Sequence, residues 1–284
     1  MRVGTVKEIW RYPVKSMLGE RVAAAMLGAL GLPGDRGYAL RDDDAGEIRG
    51  AKKFPALMQC EARYLGEPGE GIPPAEVRLP SGETLRTDDP SLSQKLSALL
   101  GKRVSLWSRR PAEDVEHYRR RPDNNDLQGD LQQMFARIGD EPLPDFSLFP
   151  QELFEYTSPR GTYFDAFPIH FVTTAWLGEL ASRNTKARWD VRRFRPNFLI
   201  DAASGVTGFA EGDWVGREVR VGRARLKVEV GCPRCVMTTQ QTADLPKDPS
   251  VLRTIVGEAN QNVGVYASVV GSGEVREGDP VELA

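Results

Sequence analysis

Apolar and charged residues alternate along the stretch from Arg223 to Glu229. Ala224, Leu226, Val228 and Val230 fall on one side of an extended chain, and Arg223, Arg225, Lys227 and Glu229 on the other. This period of two is that of a half-buried strand. Gly231 and Pro233 then favour a bend, which places Cys232 and Cys235 at a strand end with at least one sulfur held outward. A similar alternation through Val3, Val6 and Ile9 predicts a strand over Val3 to Val14, which Tyr12-Pro13 brings to an end at Lys15-Ser16. Gly34 to Tyr38 opens the next strand, Asp42 to Gly46 reads as a solvated turn, and Ala56 to Tyr64 reads as a strand carrying a core Cys60. Ala75 to Thr87 is a hairpin turning at Pro80-Ser81-Gly82. A helical period then appears at Leu92, Leu96, Leu99 and Leu100, started by Asp88-Asp89-Pro90-Ser91 and stopped at Gly101. With a strand at Val104 to Trp107, short strands closed by a single helix predict a β-barrel-like first domain over residues 1–107.

Residues 108–160 form a connecting region or lid. An amphipathic helix is predicted over Asp126 to Ile138, and the acidic, proline-rich Glu141 to Pro150 reads as a linker or lid. The remainder, 161–284, is again mostly strands: Phe167 to Val172, the apolar run after Pro196-Asn197, the pair around Gly222, and Asn262 to Tyr266. Thr173-Thr174 caps a helix through Ser182, and Pro249 to Gly257 reads as a short helix or loop. His170 lies in an apolar strand and reads as a satisfied core residue. The expected class is therefore mostly β with a few short helices (α+β).

Composition narrows the function classes. The 284 residues carry 38 Lys and Arg against 40 Asp and Glu, a formal charge of −2, so the whole molecule has no attraction to nucleic acid or anionic membranes. Arg109, Arg110, Arg119, Arg120 and Arg121 with Tyr118 are a local basic stretch, read as a solvated face or as the rim for an anionic ligand or acidic redox partner. Three cysteines suit a reducing compartment. No apolar run of about 18 residues appears, and the N-terminus has no apolar signal core, so a soluble, cytoplasmic protein is expected.

The Cys-x-x-Cys pair admits several chemistries. A closed zinc site lacks ligands, because Cys60, His117 and His170 are scattered singly. A thioredoxin-type pair stands at a helix start, whereas Val236 to Thr239 reads as extended chain. Cys232 stays open between a small buried apolar residue and an outward thiol. Cys235, flanked by Arg234 whose charge favours thiolate, suits a soft-metal ligand.

The run GCPRCVMTT resembles the cysteine motif of the MOSC family, which includes the C-terminal domain of molybdenum cofactor sulfurases and the mitochondrial amidoxime reducing component. The resemblance extends through YPVKS at Tyr12 to Ser16, Gly34-Asp35-Arg36, FRPN at Phe194 to Asn197 and the closing Gly278-Asp279-Pro280-Val281. It implies an N-terminal β-barrel domain, a C-terminal MOSC β-barrel domain and a molybdenum pyranopterin between them. Cys235 is then the metal ligand, with Lys15, Ser16, Arg36, Lys52, Thr173, Arg195, Asn197 and Arg234 as cofactor contacts. Lys52 stands where relatives have arginine. Fork-shaped, ammonium and hydroxyl donors suit a phosphate and a pterin edge. Pyridoxal phosphate binding is also associated with such proteins, although no pyridoxal-binding domain is legible here.

The implied activity is reduction of N-hydroxylated substrates of amidoxime or hydroxylamine type. Electrons are expected from a separate ferredoxin or flavin reductase, docking near 109–121, because the four cysteines of an iron–sulfur cluster are lacking. The alternative is a non-catalytic carrier of the cofactor, or of sulfur, on Cys235.

Overall fold

A computed structural model of the chain describes residues 1–69, 71–121 and 126–284. In chain order the strands are β1 (Arg2–Arg11), β2 (Glu20–Arg21), β3 (Ala24–Leu27), β4 (Tyr38–Asp42), β5 (Glu47–Ile48), β6 (Glu61–Tyr64), β7 (Ala75–Arg78), β8 (Thr84–Arg86), β9 (Val104–Ser108), β10 (Ile169–Thr173), β11 (Phe198–Ala202), β12 (Glu218–Val221), β13 (Ala224–Pro233), β14 (Asn262–Gly271), β15 (Gly273–Arg276) and β16 (Pro280–Leu283). The helices are α1 (Ser91–Leu100), α2 (Val115–Tyr118), α3 (Leu127–Met134), α4 (Thr174–Arg183) and α5 (Pro249–Glu258). The fold is mostly β with short helices, as expected. Among the described residues no helix is long and apolar enough to cross a membrane.

Seven strands close into a barrel in the order β11-β10-β14-β13-β12-β16-β1, with β1 pairing back onto β11. All neighbours are antiparallel except β10 and β11. That parallel pair requires a crossover, and α4 supplies it. The barrel is filled by Val6, Ile9, Phe171, Phe198, Leu226 and Val265 among others. Val6 and Ile9 are three apart, a spacing that should put them on opposite faces of a strand. A bulge between Val6 and Glu8 inserts one residue and turns both inward.

The expected boundary at 107 is not a boundary between sheets. β1 is a barrel stave shared with the C-terminal strands, and β3 pairs with β15 (Leu27 opposite Gly273). The N-terminal lobe proper is two three-stranded sheets, β5-β4-β9 and β6-β7-β8, packed with α1 around Met17, Leu40, Leu57, Leu92 and Leu96. Helix α1 ends where predicted, with Gly101 at φ 63° in the left-handed conformation.

Three local expectations change. Residues Pro55–Gln59 form a 3-10 turn, with Pro55 at its start, so the strand expected from Ala56 begins only at Glu61. Strand β13 continues through Pro233, and a register shift between Val228 and Val230 moves Val230 off the core face to a half-buried position. Val236–Thr239 is not extended but a 3-10 turn. The hydroxyls of Thr238 and Thr239 donate to the carbonyls of Cys235 and Val236 at 3.0 and 2.7 Å, which lets β-branched residues settle into the tight turn.

The start of α4 holds a buried acid. Glu211 is fully buried and accepts the Thr173 N–H and hydroxyl, both at 2.8 Å. Burial pushes its carboxyl up to about 7 against those two hydrogen bonds. A carboxyl raised in the folded state binds its proton more tightly there, so its contribution is complete below the ordinary carboxyl range and is lost as pH rises towards 7. Thermal melts of the native chain should therefore lose up to about 3 kcal/mol between pH 4.5 and 7 relative to Glu211→Gln; parallel pH profiles for the two proteins would refute this.

Candidate functional site

The end of β1 and the loop before β4 are tied together at Asp35, which is 2% exposed. Its carboxylate accepts the Tyr12 N–H at 2.8 Å and the Asn197 side-chain N–H at 3.0 Å, and pairs with the Arg36 guanidinium. The Tyr12 hydroxyl donates to the Pro196 carbonyl at 2.9 Å, and the Arg36 N–H to the Tyr12 carbonyl at 2.7 Å. The YPVKS, Gly-Asp-Arg and FRPN segments are thereby one unit. Arg36 and Arg195 both hold left-handed backbone (φ 50° and 55°) and lie against the same Tyr12 ring, 5.0 and 4.2 Å from its centroid. Arg195 also donates to the Met17 carbonyl.

This unit forms one side of a cleft between the lobes, enclosing about 1220 Å³ with the open space at its mouth included. A second chamber of about 1100 Å³ shares Lys52, Arg120, Asp165 and Met237 with it and adds Lys15 and Ser16. Cys235 lies on the cleft wall, partly exposed there, and packs at its rear on the core of the N-terminal lobe. Cys232 behaves differently. It is fully buried, accepts a hydrogen bond from Arg234 at 2.8 Å, and burial pushes its thiol up although Arg234 opposes the shift. Arg234 also donates to the Phe194 carbonyl at 2.9 Å, while its Nε is buried without a partner.

Lys15 donates to the Tyr163 carbonyl at 2.7 Å and to Asp165 at 2.9 Å. Burial lowers its ammonium to about 8, with Asp165 opposing and neighbouring Lys52 adding to the drop. Lys52 stands 3.8 Å from the same carboxylate. Burial disfavours the charge on Asp165, but Lys15 and Lys52 outweigh it and hold the carboxyl well below its usual range. Burial likewise lowers Arg195 to about 10. The second chamber is lined by five cations, Lys15, Arg49, Lys52, Lys53 and Arg120, against three carboxylates, Glu47, Asp130 and Asp165, and Arg36 and Arg195 stand in the adjoining cleft. The surplus of two positive charges suits an anion.

Eight of the nine sequence-predicted residues (Lys15, Ser16, Arg36, Lys52, Arg195, Asn197, Arg234, Cys235) are brought to this cleft and its neighbouring chamber, though Ser16 is buried with its Oγ accepting the Ala51 N–H at 2.9 Å. Thr173 is not brought there. It is fully buried, its Oγ1 capping Trp176 at 3.1 Å and bonding Glu211, so its hydroxyl organises α4. Asn197 lines the cleft, but its amide is committed to Asp35, to the Trp10 carbonyl at 3.4 Å and to the His170 N–H at 3.0 Å. It works as a latch between β1 and β10. His170 is a core histidine bonded to the Val263 carbonyl at 3.1 Å, which burial keeps neutral with a pKa of about 3. Cys60 is a core thiol, raised to about 11 by burial.

In the arginine-rich stretch most charges are paired at the surface, while Arg120 lines both chambers. Arg110 pairs with Asp114, Arg119 with Glu116 and Glu155, Arg121 with Glu116, and Arg120 donates to the Leu153 and Tyr156 carbonyls. Sequence reasoning missed Asp165, the organising role of Asp35, and an aromatic wall that includes Phe146, Phe149, Phe167 and Tyr266. Asp165, a lone acid in Tyr163-Phe164-Asp165-Ala166-Phe167, is the signal that was available.

A closed seven-stranded barrel with a partly exposed thiol and a cationic cleft at its mouth defines the class. Residues 158–282 match the MOSC domain and residues 3–108 the MOSC N-terminal beta barrel domain; the chain belongs to the MOSC family. It is 27% identical over 305 residues to mitochondrial amidoxime reducing component 2 of Rattus norvegicus, covering 99% of this chain and 83% of the relative. Identity to mitochondrial amidoxime-reducing component 1 of Homo sapiens is 27% over 312 residues, with the same coverage of 99% and 83%. The YUAD protein from Bacillus subtilis aligns over 99% of this chain and 95% of its own at 11% identity, with a TM-score of 0.44.

Two outcomes test this geometry. Asp35→Ala leaves the half-buried Arg36 without its carboxylate and the Tyr12 and Asn197 N–H groups without an acceptor, and should cost about 3 kcal/mol of unfolding free energy, measured in urea; a loss well under 1 kcal/mol would remove Asp35 from its central place. An anion stabilises the Lys15 ammonium, so affinity for sulfate, which does not titrate in this range, should fall as pH rises through about 8. Calorimetric titration at pH 7 and 9 checks this, with Lys15→Met expected to flatten the dependence.

Proposed function

We propose that this chain is a molybdenum-cofactor-dependent reductase of N-hydroxylated compounds, supplied with electrons by a separate redox protein such as a ferredoxin or flavin reductase. The observation that carries the reading is Cys235, a thiol open to a cleft whose neighbouring chamber has a surplus of cations. The residues fit such a cofactor on their own chemistry. Lys15, Lys52, Arg36 and Arg195 are donors for a phosphate and for pterin oxygens. The buried, unpartnered Nε of Arg234 is a further donor beside Cys235. Among the described residues no group of three or more His, Cys, Asp or Glu is placed to hold a metal ion. A metal met by Cys235 must therefore arrive with its own ligands, as one carried by a pterin dithiolene does.

When bound, that group would supply two-electron oxygen-abstraction chemistry at a metal. The chain's own part is to hold and orient. Arg36 and Arg195, fixed on Tyr12 and Asp35, present guanidinium edges that need no rearrangement on binding. Lys15 and Lys52 share Asp165, which keeps two ammonium groups within reach of one anion. Arg234, held by its bond to Cys232, places a guanidinium beside Cys235 on the cleft wall. The names of the relatives, amidoxime reducing components, support the reaction class.

Cys235→Ala removes one partly exposed sulfur and should leave the melting temperature within a few degrees of the native value. Protein from a cofactor-competent host should show molybdenum and pterin in the native chain, and benzamidoxime turnover with an artificial reductant should fall to background in the variant. Undiminished turnover in Cys235→Ala would rule out the ligand role; cofactor present with no turnover in the native protein would favour the carrier.

A further inference from the structure

The connecting region gives the cleft a second wall, of a kind the cationic chamber does not require. Ring follows ring along it: Phe154 is 6.2 Å from Phe146, Phe146 is 5.6 Å from Phe149, and Phe149 is 6.4 Å from Tyr266, whose ring is 5.5 Å from His170. Exposure falls in the same direction, from 43% at Phe154 to 5% at His170. The series leads from the surface towards the side of the cleft that holds Arg234 and Cys235.

Helix α3 adds Leu127, Leu131 and Met134, at the spacing of one helical face, to the same cleft. None of the residues of α3 is fully buried, and Leu127, Leu131 and Met134 stay half-buried where they line the cleft. The segment between α3 and the phenylalanines is anchored to the barrel side of the cleft. Arg253 on α5 donates twice to Glu141 at 2.9 and 2.8 Å and once to the Ala136 carbonyl at 2.7 Å. An apolar wall anchored in the cleft that also holds the partly exposed Cys235 thiol is a preformed subsite.

We propose that this wall receives a flat, uncharged ring borne by the substrate, so that the compounds reduced at this site are aryl or heteroaryl N-hydroxylated molecules in preference to small hydrophilic ones. The inference rests on the reading of the site in the previous subsection. Edge-on and tilted phenylalanines offer both ring faces and ring edges to a planar guest. A positively charged body is disfavoured, because the cleft carboxylate Asp165 already serves Lys15 and Lys52. The polar N–O group then projects inward past Tyr266, and the ring stays outward among Phe146 and Phe149.

The test compares benzamidoxime with hydroxylamine on the cofactor-loaded protein. Phe146→Ala and Phe149→Ala should each lower the ratio of kcat/KM for benzamidoxime to that for hydroxylamine by about tenfold, chiefly through KM for benzamidoxime. Phe146→Leu, which keeps most of the volume, covers the case in which truncation impairs folding, and should lower the ratio less. Benzamidoxime binding to cofactor-free protein, followed by saturation-transfer NMR, should weaken in the same order. An unchanged ratio with unchanged binding overturns the inference. So does a fall in molybdenum and pterin content in step with activity, which would assign the wall to the cofactor. If the native protein turns over neither compound but ring binding still depends on Phe146, the reductase reading fails and the aromatic subsite stands.

Discussion

The arrangement of the cleft depends on one buried carboxylate. Asp35 lies where the end of β1, the loop before β4 and the segment entering β11 converge, and it neutralises or accepts from a group in each: Tyr12, Arg36 and Asn197. A carboxylate this deep is stable only if its oxygens are fully engaged. Once they are, the three segments cannot shift independently. The cost of leaving any partner unpaired is what makes the geometry of Arg36 and Arg195 a property of the fold and not of a flexible surface.

That constraint explains why two guanidinium groups can lie against one tyrosine ring. Like charges at such separations repel, and both arginines hold left-handed backbone, a conformation that costs on the order of 1 kcal/mol or more for a residue with a side chain. The local sequence would relax both costs by moving the loops apart. The latch at Asp35 and Asn197 prevents this. The residual positive potential is therefore held in place for an anion, a preorganisation that costs stability in the free protein and reduces the ordering needed when a ligand arrives.

Much of the fold was legible in the chain because its rules are local. The hydrophobic alternation of β13, the leucine period of α1 with Gly101 behind it, and the cap of α4 each need only a few neighbouring residues. What escaped depends on distant partners. Val230 leaves the core because a bulge shifts its register against β14; the turn at Val236–Thr239 is the local exception, its hydroxyls satisfying carbonyls three residues back. Neither follows from residue type. The site divides in the same way: Lys15, Arg36, Arg195 and Cys235 stand in short contiguous motifs, whereas Asp165 and the phenylalanines become neighbours only when 126–160 folds back over the barrel. Thr173 was misread for a related reason, since a capping hydroxyl and a phosphate-binding one look alike until the buried Glu211 is found against it.

The two cysteines of the motif show how one bulged strand assigns two fates to one residue type. The register shift between Gly231 and Pro233 lets β13 carry Cys232 inward, where it is fully buried and bonded to Arg234. The chain then leaves the sheet, and the following 3-10 turn fixes Cys235 at its start, with extended backbone and its side chain between the lobes. Arg234 links the pair, since its guanidinium is bonded to the buried sulfur while its Nε is left without a partner. The inner thiol thus serves to orient the arginine, and the arginine stands beside the outer thiol on the cleft wall. Cys232 faces inward only while β13 keeps its register shifts against β14, at Val228/Val230 and at Gly231/Pro233. The chemistry at Cys235 is therefore tied to the packing of the barrel through the phase of a single strand.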